Sequence, residues 1–162
     1  MWKKFCIFIR TIFGTKPCKN IEELIKYIRP GEVHALQHWV MQCVEYKKDK
    51  GKEDYWEEVD AVLAKDPPTS NCQEKAIIPY MVMRSWPKWN PKILCVYPEK
   101  GVGHAVCAFE TPGIRKGYMD DTGVHYFDRM YWKEVAKSIG PWVHSARWKD
   151  EKGHTLGRID LT

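Results

Sequence analysis

The sequence contains no apolar run long enough to cross a membrane. A membrane-spanning helix needs about 18 or more consecutive apolar residues, whereas the run Phe5–Ile9 ends at Arg10 after five residues. This run follows Lys3 and Lys4, as the core of a secretory signal would. A signal core requires about 7–15 apolar residues, so the run is too short for one. We therefore expect an unexported, cytoplasmic protein.

Cysteine motifs are also missing. The six cysteines form neither a C-x-x-C pair nor the cysteine/histidine spacing of a zinc site. Their even number permits disulfides, but the dense spacing of a small secreted scaffold is absent, so free thiols in a reducing compartment are the simpler interpretation. His34 and His38 share one helix face, yet Ala35 replaces the glutamate of the H-E-x-x-H zinc-protease pattern. We predict no metal and no other cofactor.

No basic stripe runs along the chain. The net charge is +5 over 162 residues, and residues 1–30 alone carry seven Lys or Arg against two Glu, a net of +5. The rest is balanced, whereas a nucleic-acid binder lines its binding face with basic residues, so we expect no nucleic-acid partner. The basic, aromatic-rich residues 1–14 permit a weak contact with a membrane surface. Their apolar residues cover most of the helix circumference, which favours packing onto the domain or a partner.

Helical periodicity dominates the first half of the chain, and strand patterns dominate the second. The length favours one domain, 1–162. Helices in the first half and strands in the second predict an α+β domain with the N-terminal helices packed on a C-terminal antiparallel sheet. We predict helices over 2–13, 20–28, 33–44 and 55–64 and from Cys72 onward, strands over 92–97, 103–110 and 116–120, a helix over 130–138, and closing strands over 142–148 and 155–161. Four cysteines on apolar faces are expected in the core: Cys6, Cys43, Cys95 and Cys107. Six tryptophans are expected to form the core and the walls of a groove: Trp39, Trp56, Trp86, Trp89, Trp142 and Trp148.

One cysteine stands where a polar, proline-marked loop over 66–71 becomes an apolar-periodic helix. At a first helical turn, the dipole and the free backbone N–H groups favour a thiolate, although most free cysteines are simply small buried hydrophobes. His104 begins a predicted strand and Asp120 ends the next one, and antiparallel neighbours bring such ends together. With Cys72, they supply the nucleophile, base and carboxylate of thiol catalysis. Taken alone, Asp120 is more often a turn former.

The ordered motifs resemble the transglutaminase-like cysteine proteases, especially the bacterial transglutaminase-like cysteine proteinase group. The chain matches that group's Asp-Tyr-Trp, helix-opening Cys, His-Ala-Val and strand-ending Asp motifs, over about residues 45–125, with Asp54–Trp56, Asn71–Ala76, His104–Val106 and Tyr118–Asp121. The resemblance implies a papain-like fold, in which 1–50 is a helical N-terminal part and 51–162 the catalytic core. It also implies a triad of Cys72, His104 and Asp120, with Asp121 as the alternative acid, and places Trp56 near the site.

The activity implied by this resemblance is that of a cysteine protease or amidase acting on a protein or peptide amide. Cys72 would attack the carbonyl, His104 would protonate the leaving amine, Asp120 would orient the imidazole, and the Cys72 N–H would help to bind the oxyanion. Deamidation and transglutamination stay open because they share the thioester intermediate. A non-catalytic binding module that retains the fold is the competing class.

Three departures from the group's pattern indicate a divergent relative. Acidic residues flank the cysteine in calcium-binding members, but Asn71 and Gln73 stand at two of those positions, so we predict no calcium. Pro79 lies inside the expected catalytic helix and should kink it. The export signal usual for members that process adhesins is not recognised here.

Overall fold

The computed structural model describes residues 15–47, 56–128 and 130–162. The predicted helix over 2–13 lies outside these ranges. Five helices and a six-stranded antiparallel sheet make up the described part, which confirms the α+β prediction. The helices are α1 (Ile21–Tyr27), α2 (Val33–Cys43), α3 (Val59–Leu63), α4 (Cys72–Arg84) and α5 (Trp132–Ser138).

The strands form one large sheet and one short parallel pair. Their bounds are β1 (Glu45–Tyr46), β2 (Thr69–Ser70), β3 (Asn90–Tyr97), β4 (His104–Glu110), β5 (Lys116–Asp120), β6 (Gly123–Phe127), β7 (Ser145–Lys149) and β8 (Thr155–Ile159). The large sheet has the order β6-β5-β4-β3-β7-β8, and β1 pairs with β2 in parallel. The long strands β3 and β4 therefore lie at its centre, where they pair from Asn90 opposite Glu110 to Val96 opposite His104.

Helices cover both faces of the sheet. Alternation along β4 sends Ala105, Cys107 and Phe109 into the cluster that contains the buried face of α4, while Val106 and Ala108 join the cluster that contains α5. Because central strands with two covered faces must be apolar on both sides, their sequences read as continuous apolar runs. The larger cluster also takes in α1 and α2, which both pack against α4, and α2 also contacts β6 directly.

Local sequence explains where α1 begins. The Asn20 side chain accepts a hydrogen bond from the Glu23 backbone N–H at 2.9 Å, and the Glu23 carboxylate accepts one from the Lys19 N–H at 3.0 Å.

The indole of Trp39 on α2 is buried and donates to the Lys16 carbonyl at 2.8 Å. The chain before α1 is thus joined to α2.

The structure corrects three details of the prediction. The strand β6 was not predicted, since all five of its residues are half-buried and show no alternation. The helix expected over 55–64 is shorter, Val59–Leu63. The α4 helix contains the buried Pro79, as the sequence indicated. Trp142 is 43% exposed, so it is not a core residue.

The described cysteines are all free, and Cys43, Cys95 and Cys107 lie in the core as predicted. Cys18 is also buried, and Cys6 lies outside the described ranges. Among the helices in the described ranges, none combines the length and the apolar character that a membrane crossing requires.

Candidate active site

Cys72 is the first residue of α4, and a complete capping box fixes the helix at this position. The Asn71 side chain accepts hydrogen bonds from the N–H groups of Gln73 at 2.8 Å and Glu74 at 3.3 Å. The Glu74 carboxylate in turn accepts from the Asn71 N–H at 2.9 Å. Both residues of the capping box, Asn71 and Glu74, are buried. The thiol therefore sits at the positive end of a 13-residue helix.

Both oxygens of the Glu74 carboxylate accept hydrogen bonds from the backbone. Oε2 accepts from Asn71, and Oε1 accepts from the Glu57 N–H at 3.1 Å. Glu74 is only 2% exposed. It therefore joins the segment that leads into α3 to the first turn of α4. This carboxylate therefore has a structural role.

The predicted site residues converge on one cleft. The cleft is small and shallow, with a volume of about 10 Å³, and its walls come from α2, α4, β4 and the end of β5. Its lining includes Cys72, His104, Asp120 and the alternative acid Asp121, together with Gln37, Val40, Met41, Lys75, Ala76, Ala105 and Met119. Cys72, His104 and Asp120, from three separate elements, thus meet at one end of the sheet.

His104 lies between this cleft and a second one. The second cleft shares His104 and Ala105 with the first and is also lined by Trp56, Gln73 and Tyr97. Trp56 and His104 border the same cleft, which agrees with the expectation that Trp56 lies near the site. Gly103, just before His104, permits a close approach, because a Cβ there would come within 2.5 Å of the Tyr97 ring.

The Cys72 thiol donates a hydrogen bond to Gln73 Oε1 at 3.4 Å. Gln73 is buried, so its amide oxygen is held beside the sulfur. The sequence identified Gln73 only as the amide that replaces an acidic residue. A glutamine directly after a candidate nucleophile was the available signal for a contact with the sulfur.

Strand alternation puts His104 and Asp120 in phase with Val106 and Tyr118, on the face that α5 covers, whereas α4 packs on the other face. They line one cleft with Cys72 at the sheet edge, where β4 begins and β5 ends.

Cys107 pairs with Met119, so continuing the register puts Asp120 opposite Val106 and diagonal to His104. Diagonal neighbours in a sheet have Cα atoms about 7–8 Å apart, within reach of long side chains. In the described part of the chain, however, no hydrogen bond joins the two side chains.

The Asp120 carboxylate instead contacts its own turn and a second histidine. Oδ1 accepts hydrogen bonds from the Thr122 N–H at 2.8 Å and from Thr122 Oγ1 at 2.6 Å. The same oxygen lies 3.5 Å from His125 Nε2. The Asp120 side chain is 9% exposed. Asp120 is therefore both the turn former that its local sequence favours and a residue of the cleft.

Asp121 faces the helix instead. Its Oδ1 lies 3.2 Å from Lys75 Nζ, whose side chain is nearly buried and which also lies 5.6 Å from the Tyr46 ring centroid. A carboxylate that is paired with a lysine is less able to accept a hydrogen bond from an imidazole. This contact favours Asp120 over Asp121 as the carboxylate of the site.

The described thiols differ in their surroundings. Burial raises the pKa of the Cys107 thiol strongly, and burial, with a contribution from Glu23, raises the pKa of the Cys18 thiol. Cys72 is the only described cysteine that is not buried. Cys72 therefore combines access to solvent with a helix start.

His34, one of the two histidines that share a helix face, lies beside Tyr126, with ring centroids 6.1 Å apart.

No family model, curated protein or solved structure matches this chain. The likeness to transglutaminase-like cysteine proteases therefore rests on the ordered sequence motifs.

Proposed function

We propose that this protein is a thiol-dependent acyl-transfer enzyme, a cysteine peptidase or amidase that acts on a protein or peptide amide. The papain-like, transglutaminase-type architecture belongs to the same proposal. One observation carries it: a cysteine at a helix start, a histidine at a strand start and an aspartate at the next strand's end line one cleft.

The proposed reaction follows from the chemistry of these groups. The Cys72 thiolate attacks the amide carbon, and the backbone N–H of Cys72 supports the negative oxygen of the tetrahedral intermediate. Imidazolium at His104 gives its proton to the leaving amine as the C–N bond breaks, leaving a thioester on Cys72. Water then attacks the thioester, with His104 as general base, and releases the carboxylic acid and the thiol. Asp120 stabilises the imidazolium.

Deamidation and transglutamination use the same first half-reaction on a glutamine side chain. They differ in whether water or an amine reaches the thioester. The cleft is bordered by Val40, Met41 and Met119, with the Lys75–Asp121 pair at its edge. An apolar cleft with one ion pair suits an acyl group carried on a peptide.

A non-catalytic binding module is the second candidate, and two contacts favour it. The Cys72 thiol donates to the Gln73 amide, and Asp120 bonds to Thr122 within its own turn. An enzyme would need His104 to approach both groups when a substrate binds. Hydrogen bonds in free enzymes are often longer than in the reacting complex.

The five free cysteines in the described ranges support a reducing compartment, and we place the protein in the cytoplasm on that basis.

Alkylation of Cys72 by iodoacetamide as a function of pH tests the enzyme proposal without a known substrate. The experiment uses Cys6→Ser as the background and Cys72→Ser as the control for labelling elsewhere. We expect rapid labelling at about pH 6, well below the ordinary thiol pKa of about 8.5. His104→Gln should return the profile to that of an ordinary thiol. A wild-type profile that already matches a free thiol would support the binding module.

A further inference from the structure

A second histidine lies behind the site aspartate. His125 Nε2 is 2.8 Å from Thr122 Oγ1, and Thr122 Oγ1 is 2.6 Å from Asp120 Oδ1. The His125 ring stacks on Tyr118, with centroids 4.5 Å apart and an angle of 25° between the ring planes. Because Tyr118 is buried, the stacking fixes where the imidazole can point.

The hydrogen bonds that link His125, Thr122 and Asp120 allow only one assignment of donors and acceptors. A carboxylate can only accept, so the Thr122 hydroxyl must donate to Asp120. Its oxygen then accepts from His125, which requires the proton on Nε2. The series of hydrogen bonds therefore runs from the His125 N–H through the Thr122 hydroxyl to Asp120 Oδ1.

All three close contacts of the carboxylate fall on one oxygen. Oδ1 receives the Thr122 N–H and hydroxyl and lies 3.5 Å from His125. No described contact involves Oδ2, and Asp120 borders the cleft that also contains His104. The side chain is thus held through Oδ1, and the described contacts leave Oδ2 without a hydrogen-bond partner.

We propose that His125 and Thr122 are positioning residues for Asp120. They hold Oδ1 so that Oδ2 can accept the hydrogen bond of the His104 imidazolium. This inference rests on the proposed function. It gives the reaction two histidines with different roles: His104 in contact with the thiol and the leaving amine, and His125 acting only through the carboxylate.

If Thr122 and His125 served only to stabilise the hairpin, fewer contacts to Asp120 would suffice than the structure contains. The Thr122 N–H bond to Asp120 is the bond of a simple aspartate turn. The hydroxyl and the imidazole add nothing that closing the turn requires. A purely structural role therefore predicts that both can be lost without effect on the reactivity of Cys72.

The test uses two matched pairs of variants in the Cys6→Ser background. His125→Phe keeps a ring to stack on Tyr118 but loses the donor, whereas His125→Gln keeps an N–H at the position of Nε2. Thr122→Val loses the hydroxyl, and Thr122→Ser keeps it. The readout is the rate of Cys72 alkylation at about pH 6, where the thiolate depends on the stability of the imidazolium.

We expect His125→Phe and Thr122→Val to lower this rate by about threefold to tenfold, the effect of losing one net hydrogen bond. His125→Gln and Thr122→Ser should stay within about twofold of the parent. Equal rates in all four variants would overturn the positioning role while leaving the enzyme proposal intact. A parent protein with no reactivity at this pH would overturn both. Should one variant fail to fold, as judged by circular dichroism, the other pair decides.

Discussion

Lys75 Nζ lies 3.2 Å from Asp121 Oδ1, so the helix that begins at Cys72 is joined by an ion pair to the turn that follows Asp120. The two adjacent acids therefore have different partners: Asp121 has a lysine, while Asp120 has Thr122 and His125. This difference separates the two candidates for the carboxylate of the site.

We expect Asp120→Asn to lower the alkylation rate of Cys72 at about pH 6 by at least tenfold, since the neutral amide cannot stabilise an imidazolium. The asparagine keeps an acceptor for the turn, so the fold should survive. Asp121→Asn is the matched control and should change the rate by less than about threefold. A larger effect of Asp121→Asn than of Asp120→Asn would transfer the role to Asp121.

The capping box at Cys72 should contribute measurably to stability. Asn71→Ala removes the acceptor of the Gln73 and Glu74 N–H groups, and loss of an N-cap costs about 1 kcal/mol, up to about 2. Asn71→Ser keeps a capping oxygen and should lose less. Urea unfolding followed by circular dichroism measures both. Equal stability of Asn71→Ala and the parent would show that the cap observed in the structure does not stabilise the helix.

Gly117 on β5 allows Phe109 to pack closely against the strand. A Cβ at this position would come within 2.6 Å of both the Phe109 ring and the His125 carbonyl oxygen. Phe109 is fully buried and contacts Trp89 and Tyr126. Gly117→Ala should therefore lower the free energy of unfolding by about 1–3 kcal/mol.

Gly157→Ala on β8 is the control for this prediction, because its nearest neighbour, Trp148 Cδ1, is 3.8 Å away. It should change the free energy of unfolding by no more than about 0.5 kcal/mol. The packing argument would be wrong if the two alanine variants had the same urea midpoint.

Cys107 should make the protein less stable at alkaline pH. Burial raises the pKa of this thiol, so it stays neutral in the folded state, whereas in the unfolded chain it ionises near pH 8.5, about the ordinary value. Its contribution to stability is complete below that pH and is lost as the pH rises further, by up to about 1.4 kcal/mol per pH unit.

The comparison of Cys107→Ala with the parent isolates this effect. The variant should be less stable at neutral pH because it leaves a small cavity, yet its free energy of unfolding should fall less steeply between about pH 9 and pH 10.5. Urea titrations at each pH give the slopes. Parallel slopes would show that Cys107 ionises equally in both states.

The helix start at Cys72 could be predicted from sequence because it depends on neighbouring residues. Asn71, Glu74 and the apolar pattern that follows specify a capping box whatever the rest of the fold does. The same holds for the central strands, whose apolar runs and flanking turns are local signals. The edge strand β6 has no such signal, since it is defined by pairing with β5 and buries none of its residues completely.

The sequence by itself determined the class of the fold, the beginning of α4 at Cys72 and the set of residues, Cys72, His104 and Asp120, that line one cleft. Only the tertiary structure decided their partners: the thiol donates to Gln73, Asp121 pairs with Lys75, and Asp120 is held by Thr122 and His125. The physical reason is that helix caps and strand patterns depend on residues close in sequence. Which side chains meet at the end of a sheet depends on register and on the approach of a separate helix, which no local pattern specifies.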